Sequence, residues 1–313
     1  MKILVTGGAG FIGSHVVDNY IDAGHEVVVV DNLSTGSREN INPAAKLYEV
    51  DVRDRAAIWE VIESERPEVV NHHAAQVNVR ASLDDPASDA EINVLGTLNL
   101  LDAAAKNAVK RFIFISSGGA VYGDAEKIPT PEDYPPKPVS HYGAAKLAGE
   151  HYCHVYYAVY SLPYVVLRYA NVYGPRQDPK GEAGVTAIFA QLMLQEQRPK
   201  IFGDGTKTRD YVHVSDVARA NLLVLKYQGV GVFNIGTGRQ ITDREVFDAI
   251  AVAVGYKGEP EYTPFRPGEV RHSAVDPSLA ARELGWRAEI KFEEGVRSVV
   301  EYQARKLGIP WPQ

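Results

Sequence analysis

The sequence has very little sulfur, and its charge is not concentrated in any one segment. One cysteine, Cys153, and two methionines occur among 313 residues, so a disulfide within the chain is excluded. There is no run of basic residues, no signal peptide and no unbroken apolar stretch of membrane-spanning length. With a formal net charge of −7, these absences argue against nucleic acid or a membrane as a partner. They favour a cytoplasmic protein that binds a small molecule.

Glycine, by contrast, is concentrated near the N-terminus. The apolar segment Lys2 to Thr6 predicts a strand, which leads directly into Gly7, Gly10 and Gly13. Gly7 permits a tight turn, and Gly10 lets the backbone approach a ligand. Gly13 lets the helix predicted from about Phe11 to Ala23 pack closely on the strand. The amino end of such a helix is where a pyrophosphate binds.

An acidic residue follows the second predicted strand. Val27 to Val30 ends at Asp31, 18 residues beyond the last of these glycines. A carboxylate at this place binds both ribose hydroxyls of an adenosine, so the sequence favours NAD over NADP. Asp51 and Val52 follow a third strand predicted near Leu47 to Val50. We expect the three strand ends to share one edge of a sheet.

Strand and helix patterns alternate over the first half of the chain. Further strands are predicted near Val69–His72, Phe112–Ser116 and Tyr164–Arg168, and helices over Ala56–Glu65, Ser88–Asn107 and Tyr142–Tyr160. This alternation predicts an α/β fold with a Rossmann-type, doubly wound parallel sheet.

Past Asn171 the alternation becomes irregular, and prolines and glycines mark loops. Residues 1–170 are therefore predicted to form the NAD-binding domain, and residues 171–313 mainly a smaller C-terminal α/β lobe for the substrate. We expect residues 211–237 to return to the main sheet. The nine histidines show no metal-ligand spacing, so no metal is predicted.

The segment with the clearest chemistry contains Tyr142 and Lys146. Four positions apart on a helix, they project from one face about one turn from each other. An ammonium stabilises a phenolate, and the positive nicotinamide of an oxidised cofactor adds to the effect. The pKa of Tyr142, about 10 for a free tyrosine, is therefore expected to fall toward neutrality so that it acts as a general base. The strand Phe112 to Ser117 ends where substrate would lie.

With these motifs the chain resembles the extended short-chain dehydrogenase/reductases, and within them the UDP-glucose 4-epimerases. Eight segments in chain order carry the resemblance: Thr6–Gly13, Asp31–Gly36, His72–Gln76, Asn93–Thr97, Ser116–Gly123, Tyr142–Lys146, Arg168–Arg176 and Arg209–Val214.

The resemblance implies hydride transfer with bound NAD, which inverts carbon 4 of a UDP-hexose without net oxidation. Tyr142, Lys146 and Ser117 would be catalytic. The residues expected at the cofactor are Gly7, Gly10, Phe11, Ile12, Gly13, Asp31, Asn32, Ser34, Thr35, Gly36, Asp51, Val52, Ala74, Ala75, Gln76, Asn93, Ser116, Tyr142, Lys146 and Tyr169. Those expected at the substrate are Ser117, Gly118, Tyr142, Asn171, Phe202, Arg209, Tyr211, Arg266, Glu269, Arg271 and Ser273. Tyr211 fits a core position equally well.

One position departs from the family. A serine or threonine usually stands three residues before the Val-Tyr-Gly that ends at Gly123, and this chain has Gly118 there. Loss of such a hydroxyl could cost a rate factor of about 10². We therefore expect Ser117 or a water molecule to replace it, unless Tyr142 works alone.

Four other functions remain open at this stage. A 4,6-dehydratase is disfavoured because Gly119 and Ala120 stand where that reaction needs an Asp-Glu pair. A UDP-glucuronate 4-epimerase or decarboxylase needs a positive contact for the sugar carboxylate, which Arg80, Arg176 or Lys180 could supply. A non-catalytic NAD-binding protein and a dehydrogenase that exchanges free NAD are also considered.

The resemblance bears on substrate breadth and assembly as well. It aligns Ser273 with a gatekeeper whose small size would admit the N-acetyl sugars UDP-GlcNAc and UDP-GalNAc. It also implies a homodimer in which the helices predicted over Ser88–Asn107 and Tyr142–Tyr160 pair across a two-fold axis. Apolar positions on them, among them Leu95 and Val155, could equally belong to the core.

Overall fold

The structure, a computed structural model, describes residues 1–179, 184–265 and 270–311. Three residues with roles expected from the sequence, Lys180, Arg266 and Glu269, lie outside these ranges. Within the ranges, none of the helices combines the length and apolar character that a membrane span requires.

The strands are short, and several consist largely of valine and isoleucine. They are β1 (Lys2–Thr6), β2 (Glu26–Val30), β3 (Lys46–Tyr48), β4 (Val69–His72), β5 (Arg111–Ser117), β6 (Tyr164–Tyr169), β7 (Asn171–Tyr173), β8 (Lys200–Phe202), β9 (Thr208–Arg209), β10 (Tyr211–His213), β11 (Gly231–Ile235), β12 (Ile241–Thr242) and β13 (Glu261–Thr263). Seven of them form one parallel sheet in the order β3-β2-β1-β4-β5-β6-β11. The order reverses between β1 and β4, and at such a point a ligand crevice opens at the carboxyl ends of the strands.

The described α-helices cover both faces of this sheet and the lobe beyond it. They are α1 (Phe11–Asp22), α2 (Arg55–Glu65), α3 (Val79–Asp84), α4 (Pro86–Ala90), α5 (Gly96–Lys106), α6 (Gly118–Val121), α7 (His141–Tyr160), α8 (Val185–Leu194), α9 (Val214–Val224), α10 (Asp243–Val254), α11 (Ser278–Leu284) and α12 (Phe292–Leu307). The fold class predicted from the sequence, a doubly wound Rossmann-type sheet, is confirmed.

Two predicted elements differ from the structure. The helix expected over Ser88–Asn107 is not one regular helix, because a π-helical segment, Glu91–Leu95, separates α4 from α5. The third strand is β3, which ends at Tyr48 and not at Val50. In both cases the apolar periodicity carries no information on the local hydrogen-bond pattern.

Alternate residues of the central strands belong to two separate hydrophobic cores, one on each face of the sheet. Ile3 and Val5 of β1 pack with Val16 of α1 on one face of the sheet. Leu4 packs with Ile62 of α2 on the other face. Burial of both faces explains why the central strands read as continuous apolar runs.

A third core lies in the lobe that follows β7. Phe189 of α8, Phe247 of α10 and Val299 of α12 belong to it. Around it, β10 pairs with β7, β9 with β12 and β8 with β13. The chain also returns to the main unit, because α9 packs against α1 and β11 pairs with β6. This return places β7 and β10 beside the carboxyl edge of the main sheet.

Candidate active site

The turn after β1 brings backbone atoms together with no side chains between them. Gly7 has a φ of +68°, and its N–H donates to the last carbonyl of β2 at 2.8 Å. A Cβ on Gly13 would lie 2.1 Å from the Gly7 carbonyl oxygen, so only glycine lets α1 approach this closely. Gly10, at the N-cap of α1, gives no side-chain cap. The first-turn amides, including those of Phe11 and Ile12, therefore suit a pyrophosphate, and the turn fits a dinucleotide.

Asp31 lies directly beside this turn. It is 8% exposed, and its carboxylate accepts hydrogen bonds from the Ala9 N–H at 3.0 Å and the Leu33 N–H at 2.8 Å. A carboxylate has about four lone-pair sites. Two of them fix the loop, and the others can accept from ribose hydroxyls.

The loop after Asp31 forms the rim of the same cleft. Asn32 donates to Asp51 at 2.8 Å, and the Arg53 guanidinium holds the pKa of Asp51 below its usual range. A Cβ on Gly36 would lie 2.8 Å from the Ala9 Cβ, so this loop approaches the glycine turn closely. The expected cofactor residues that are exposed on this rim are Asn32, Ser34 and Thr35. Val52, by contrast, is buried.

His72, the last residue of β4, is fixed between two hydroxyls. Its Nδ1 lies 2.7 Å from Thr6 Oγ1, and its Nε2 lies 3.0 Å from Thr97 Oγ1. Thr97 donates its own proton to the Asn93 carbonyl, so Nε2 of His72 carries a proton and Nδ1 accepts one from Thr6. Burial lowers the pKa of His72, which keeps the ring neutral. Thr6 accepts in turn from the Ala74 N–H at 3.1 Å.

The segment after Ala74 is held by a side chain from the π-helical turn. The Asn93 side chain accepts from the Gln76 N–H at 3.0 Å and donates to the Gln76 carbonyl at 2.9 Å. Asp89 accepts from both side-chain amides. Burial raises the pKa of Asp89, whereas these two amides and Lys146 lower it. Local π-helical turns are frequent at functional sites, and this one brings Asn93 to the cofactor edge.

Tyr142 and Ser117 meet at the carboxyl end of β5. Their hydroxyls interact, and the Ser117 hydrogen bond lowers the pKa of Tyr142. Burial acts in the opposite direction and is stronger, so the pKa of Tyr142 is raised to about 12. The chain's own groups therefore do not bring this pKa toward neutrality. The expected fall depends also on the positive nicotinamide of bound NAD, so it stays a prediction.

Lys146 lies one turn along α7 on the same face. It is 3% exposed, and its Nζ lies 5.9 Å from the centre of the Tyr142 ring and 5.2 Å from that of Phe114. Burial lowers the pKa of Lys146 to about 8, while Asp89 and Glu150 oppose this shift. The ammonium is thus sustained by two carboxylates inside the protein.

Position 118 has no room for a side chain. A Cβ on Gly118 would lie 2.6 Å from Cγ1 of Val275. Val275 is 1% exposed, and its N–H donates to the Asp210 carboxylate at 3.2 Å. Packing from the C-terminal lobe therefore explains the glycine that departs from the family pattern. Of the two serines that precede it, Ser116 hydrogen-bonds Glu150, and Ser117 faces Tyr142.

The expected substrate residues lie across the cleft from this turn. Asn171 is the first residue of β7, and its Oδ1 is 3.6 Å from the place a Cβ on Gly119 would occupy. The Arg209 side chain donates to the carbonyl of Arg271 at 3.4 Å. The Arg271 guanidinium lies 4.5 Å from the ring centre of Phe265. Two further expected residues, Phe202 and Ser273, are partly exposed.

Two of the expected ligand residues are buried aromatic side chains. Tyr211 is 4% exposed and packs edge-to-face on Tyr173. The sequence leaves open whether Tyr211 is a core residue or a ligand contact, and this burial favours the core. Tyr169 is also 4% exposed, and its hydroxyl lies 3.3 Å from Nε2 of His73. Both side chains are therefore almost completely enclosed by the protein.

Two structurally important residues were not singled out from the sequence. Asp210 is 1% exposed and accepts from the Thr237 N–H and hydroxyl, the Gly238 N–H and the Val275 N–H. It lies within Arg209–Val214, one of the segments that carry the family resemblance, but nothing in the local sequence indicated these distant partners. Glu150 was also missed, although it lies on the Tyr142 face of the helix, eight residues along.

The fold and the Tyr142–Lys146 pair beside a glycine turn define the class of enzyme. The chain belongs to the NAD dependent epimerase/dehydratase family, whose model matches residues 3–236. In particular, it is similar to UDP-glucose 4-epimerases. The Thermotoga maritima enzyme, solved with UDP-glucose, is 51% identical with a TM-score of 0.96 and coverage of 98% of this chain and 100% of that one.

Two further relatives agree. The UDP-glucose 4-epimerase of Thermus thermophilus, solved with NAD, is 46% identical with a TM-score of 0.92, over 97% of this chain and 99% of that one. The UDP-glucose 4-epimerase of Mycolicibacterium smegmatis is 45% identical over 98% of this chain and 99% of its own.

Proposed function

We propose that this protein is an NAD-dependent epimerase that inverts carbon 4 of a UDP-hexose and interconverts UDP-galactose and UDP-glucose. The observation that carries the proposal is the contact between Ser117 and Tyr142, with Lys146 one turn away, at the edge where the glycine turn lies. The similarity to enzymes of this name supports it along the whole chain.

In this proposal Tyr142 is the general base. Its phenolate takes the proton of the sugar's 4-hydroxyl, and it returns that proton when the 4-keto group is reduced from the other face. The glycine turn and Asp31 would hold NAD, whose nicotinamide would supply the acceptor and donor for the hydride of carbon 4. Ser117 donates a hydrogen bond to the reacting oxygen, and the Lys146 ammonium stabilises the phenolate.

The proposed substrate anchors lie in the lobe after β7. Asn171 and Arg209 would contact the diphosphate, because a guanidinium matches phosphate geometry and stays charged. Arg271 is a further phosphate candidate. The expected partners Arg266 and Glu269 belong to the same proposal but lie outside the described residues. If the diphosphate is held firmly and the sugar loosely, the 4-keto sugar can rotate and present its other face.

The rival substrates have less support. A sugar carboxylate needs a free cation, and Arg176 is paired with Asp18 at 2.7 Å, while Arg80 is exposed. The dehydratase reaction lacks its acid, because Gly119 and Ala120 follow Gly118. For N-acetyl sugars, the small side chain at Ser273 supports acceptance of UDP-GlcNAc and UDP-GalNAc as additional substrates.

We also propose that the protein is a homodimer. Apolar side chains are exposed on α7 and on the neighbouring π-helical segment: Leu95 53%, Tyr152 37%, Val155 47%, Val159 63% and Tyr160 53%. Exposed apolar side chains grouped in this way are typical of a protein interface. A second copy of the same face would cover them.

The first experiment incubates the purified protein with UDP-galactose, without added NAD, and resolves the UDP-hexoses by chromatography over time. Formation of UDP-glucose up to a constant ratio, with no net NADH, is the expected result. In a parallel reaction with added NAD, steady-state conversion of that NAD to NADH would indicate a dehydrogenase instead. No conversion after NAD is added, together with turnover of UDP-glucuronate, would overturn the proposed substrate.

A further inference from the structure

A buried carboxylate joins the catalytic helix to the ends of two strands. Glu150 of α7 is 6% exposed. Its Oε1 accepts from the Ser116 hydroxyl at 2.5 Å and from Arg168 Nε at 2.9 Å, and its Oε2 accepts from a second Arg168 nitrogen at 2.6 Å. Ser116 of β5 and Arg168 of β6 are paired residues in adjacent strands. One side chain therefore binds both strands.

The contacts continue on the far side of Arg168. Its remaining nitrogen donates to the Tyr122 hydroxyl at 2.8 Å, and Tyr122 donates to Asn234 at 2.9 Å. Arg168 is thus held in place by its own partners, and the pair with Glu150 is a bidentate one in a buried setting. A pair of this kind fixes geometry more strictly than a surface pair.

The place of Glu150 along α7 links this pair to the reaction. Tyr142, Lys146 and Glu150 are spaced by four residues, so they lie on one helix face in successive turns. Ser117 follows Ser116 directly in the chain. Glu150 therefore fixes α7 against the end of β5, the strand that also carries Ser117.

We propose that Glu150 is a positioning residue for the epimerase reaction, which holds Tyr142 in register with Ser117. The inference rests on the proposed function. Glu150 itself does not touch substrate. A second effect is electrostatic. Burial lowers the pKa of Lys146, and the carboxylates of Asp89 and, to a smaller degree, Glu150 raise it; the buried His72 and His73 also face this ammonium, and burial keeps both neutral.

The test compares Glu150→Gln with Glu150→Asp. The Gln variant removes the charge but keeps the length, so we expect kcat to fall by about 10-fold or more. The alkaline limb of the kcat profile should also move to lower pH, because Lys146 loses a group that raises its pKa. The Asp variant keeps the charge and shortens the side chain, so kcat should fall while the alkaline limb stays in place.

A matched control is Glu65→Gln. Glu65 is 9% exposed and binds Lys2, Lys46 and Tyr48, but it lies at the end of α2 beside the first residues of β1 and β3, away from Tyr142. The Glu65→Gln substitution should lower thermal stability and leave the pH profile of kcat unchanged. If Glu150→Gln behaves in the same way, Glu150 is only structural and the inference is wrong.

A second variant covers the case in which Glu150→Gln does not fold. Ser116→Ala cuts the contact from the strand side with little change in volume, and we expect a smaller fall in kcat with no change in the alkaline limb. An unchanged kcat there would overturn the positioning role. Wild-type turnover of UDP-galactose is measured in parallel, so a failure of the proposed function is recognised separately.

Discussion

The fit between Gly118 and Val275 gives a prediction whose size can be worked from distances. In Gly118→Ala the new Cβ would lie 2.6 Å from Cγ1 of Val275, whereas carbon atoms pack at about 3.5–4.0 Å. One of the two residues has to move by about 1 Å. Val275 is held by its N–H bond to Asp210, and the flanking residues are paired with Thr130. We expect a loss of about 1–3 kcal/mol in the free energy of unfolding.

The control for this variant is the adjacent glycine. A Cβ on Gly119 would meet nothing closer than the Asn171 amide oxygen at 3.6 Å, an ordinary contact. Gly119→Ala should therefore be neutral or stabilising by up to about 1 kcal/mol, because alanine is the better helix former in α6. The difference between the two variants isolates the effect of Val275.

A double-mutant cycle completes the test. Val275→Ala alone should cost about 2 kcal/mol for the methyl groups it removes and the cavity it leaves. In the double variant with Gly118→Ala, the added methyl enters that space. The loss in free energy of unfolding should therefore be smaller than the sum of the two single losses by about 0.5–3 kcal/mol. Urea unfolding followed by circular dichroism measures each midpoint and slope. Strictly additive losses, or equal effects of Gly118→Ala and Gly119→Ala, would refute the reasoning.

Four further predictions concern activity and assembly. Ser117→Ala should lower kcat about 10²-fold with little change in KM in steady-state assays, and unchanged turnover would remove Ser117 from the donor role. Activity should fall as pH rises through about 8, because the Lys146 ammonium loses its proton there. Lys146→Met should abolish that limb of the profile, and its persistence would contradict the assignment. Val155→Lys should convert the proposed dimer to a monomer in light-scattering chromatography, while Val252→Lys, at an 83% exposed position on α10, should not. Ser273→Tyr should lower the ratio of UDP-GlcNAc to UDP-glucose turnover, and an unchanged ratio would end the gatekeeper hypothesis.

The sequence predicted a local feature well where only one type of residue can meet the physical requirement. Gly7 and Gly13 are required by a left-handed φ and by a close approach between backbones. The π-helical segment around Asn93 could not be predicted, because a change in hydrogen-bond register leaves the apolar pattern nearly intact.

The pKa of Tyr142 is the point at which reasoning from residue types left out an opposing effect. An ammonium one turn away, with a bound nicotinamide, predicts a lowered pKa, whereas burial in the protein alone raises the pKa of Tyr142 to about 12 and lowers that of Lys146. Burial is a property of the assembled cleft, and a desolvation cost cannot be deduced from spacing along a helix.

The sequence by itself determined the dinucleotide turn, the acid after β2 and the spacing of the Tyr-Lys pair, because each depends on residues within one turn or one strand end. Only the tertiary structure decided why position 118 is glycine and which carboxylate binds α7 to the sheet. Val275 lies 157 residues beyond Gly118, and Arg168 lies 18 beyond Glu150. Contacts between residues so far apart arise when the lobe and the strands pack, and packing depends on the shapes of both partners together.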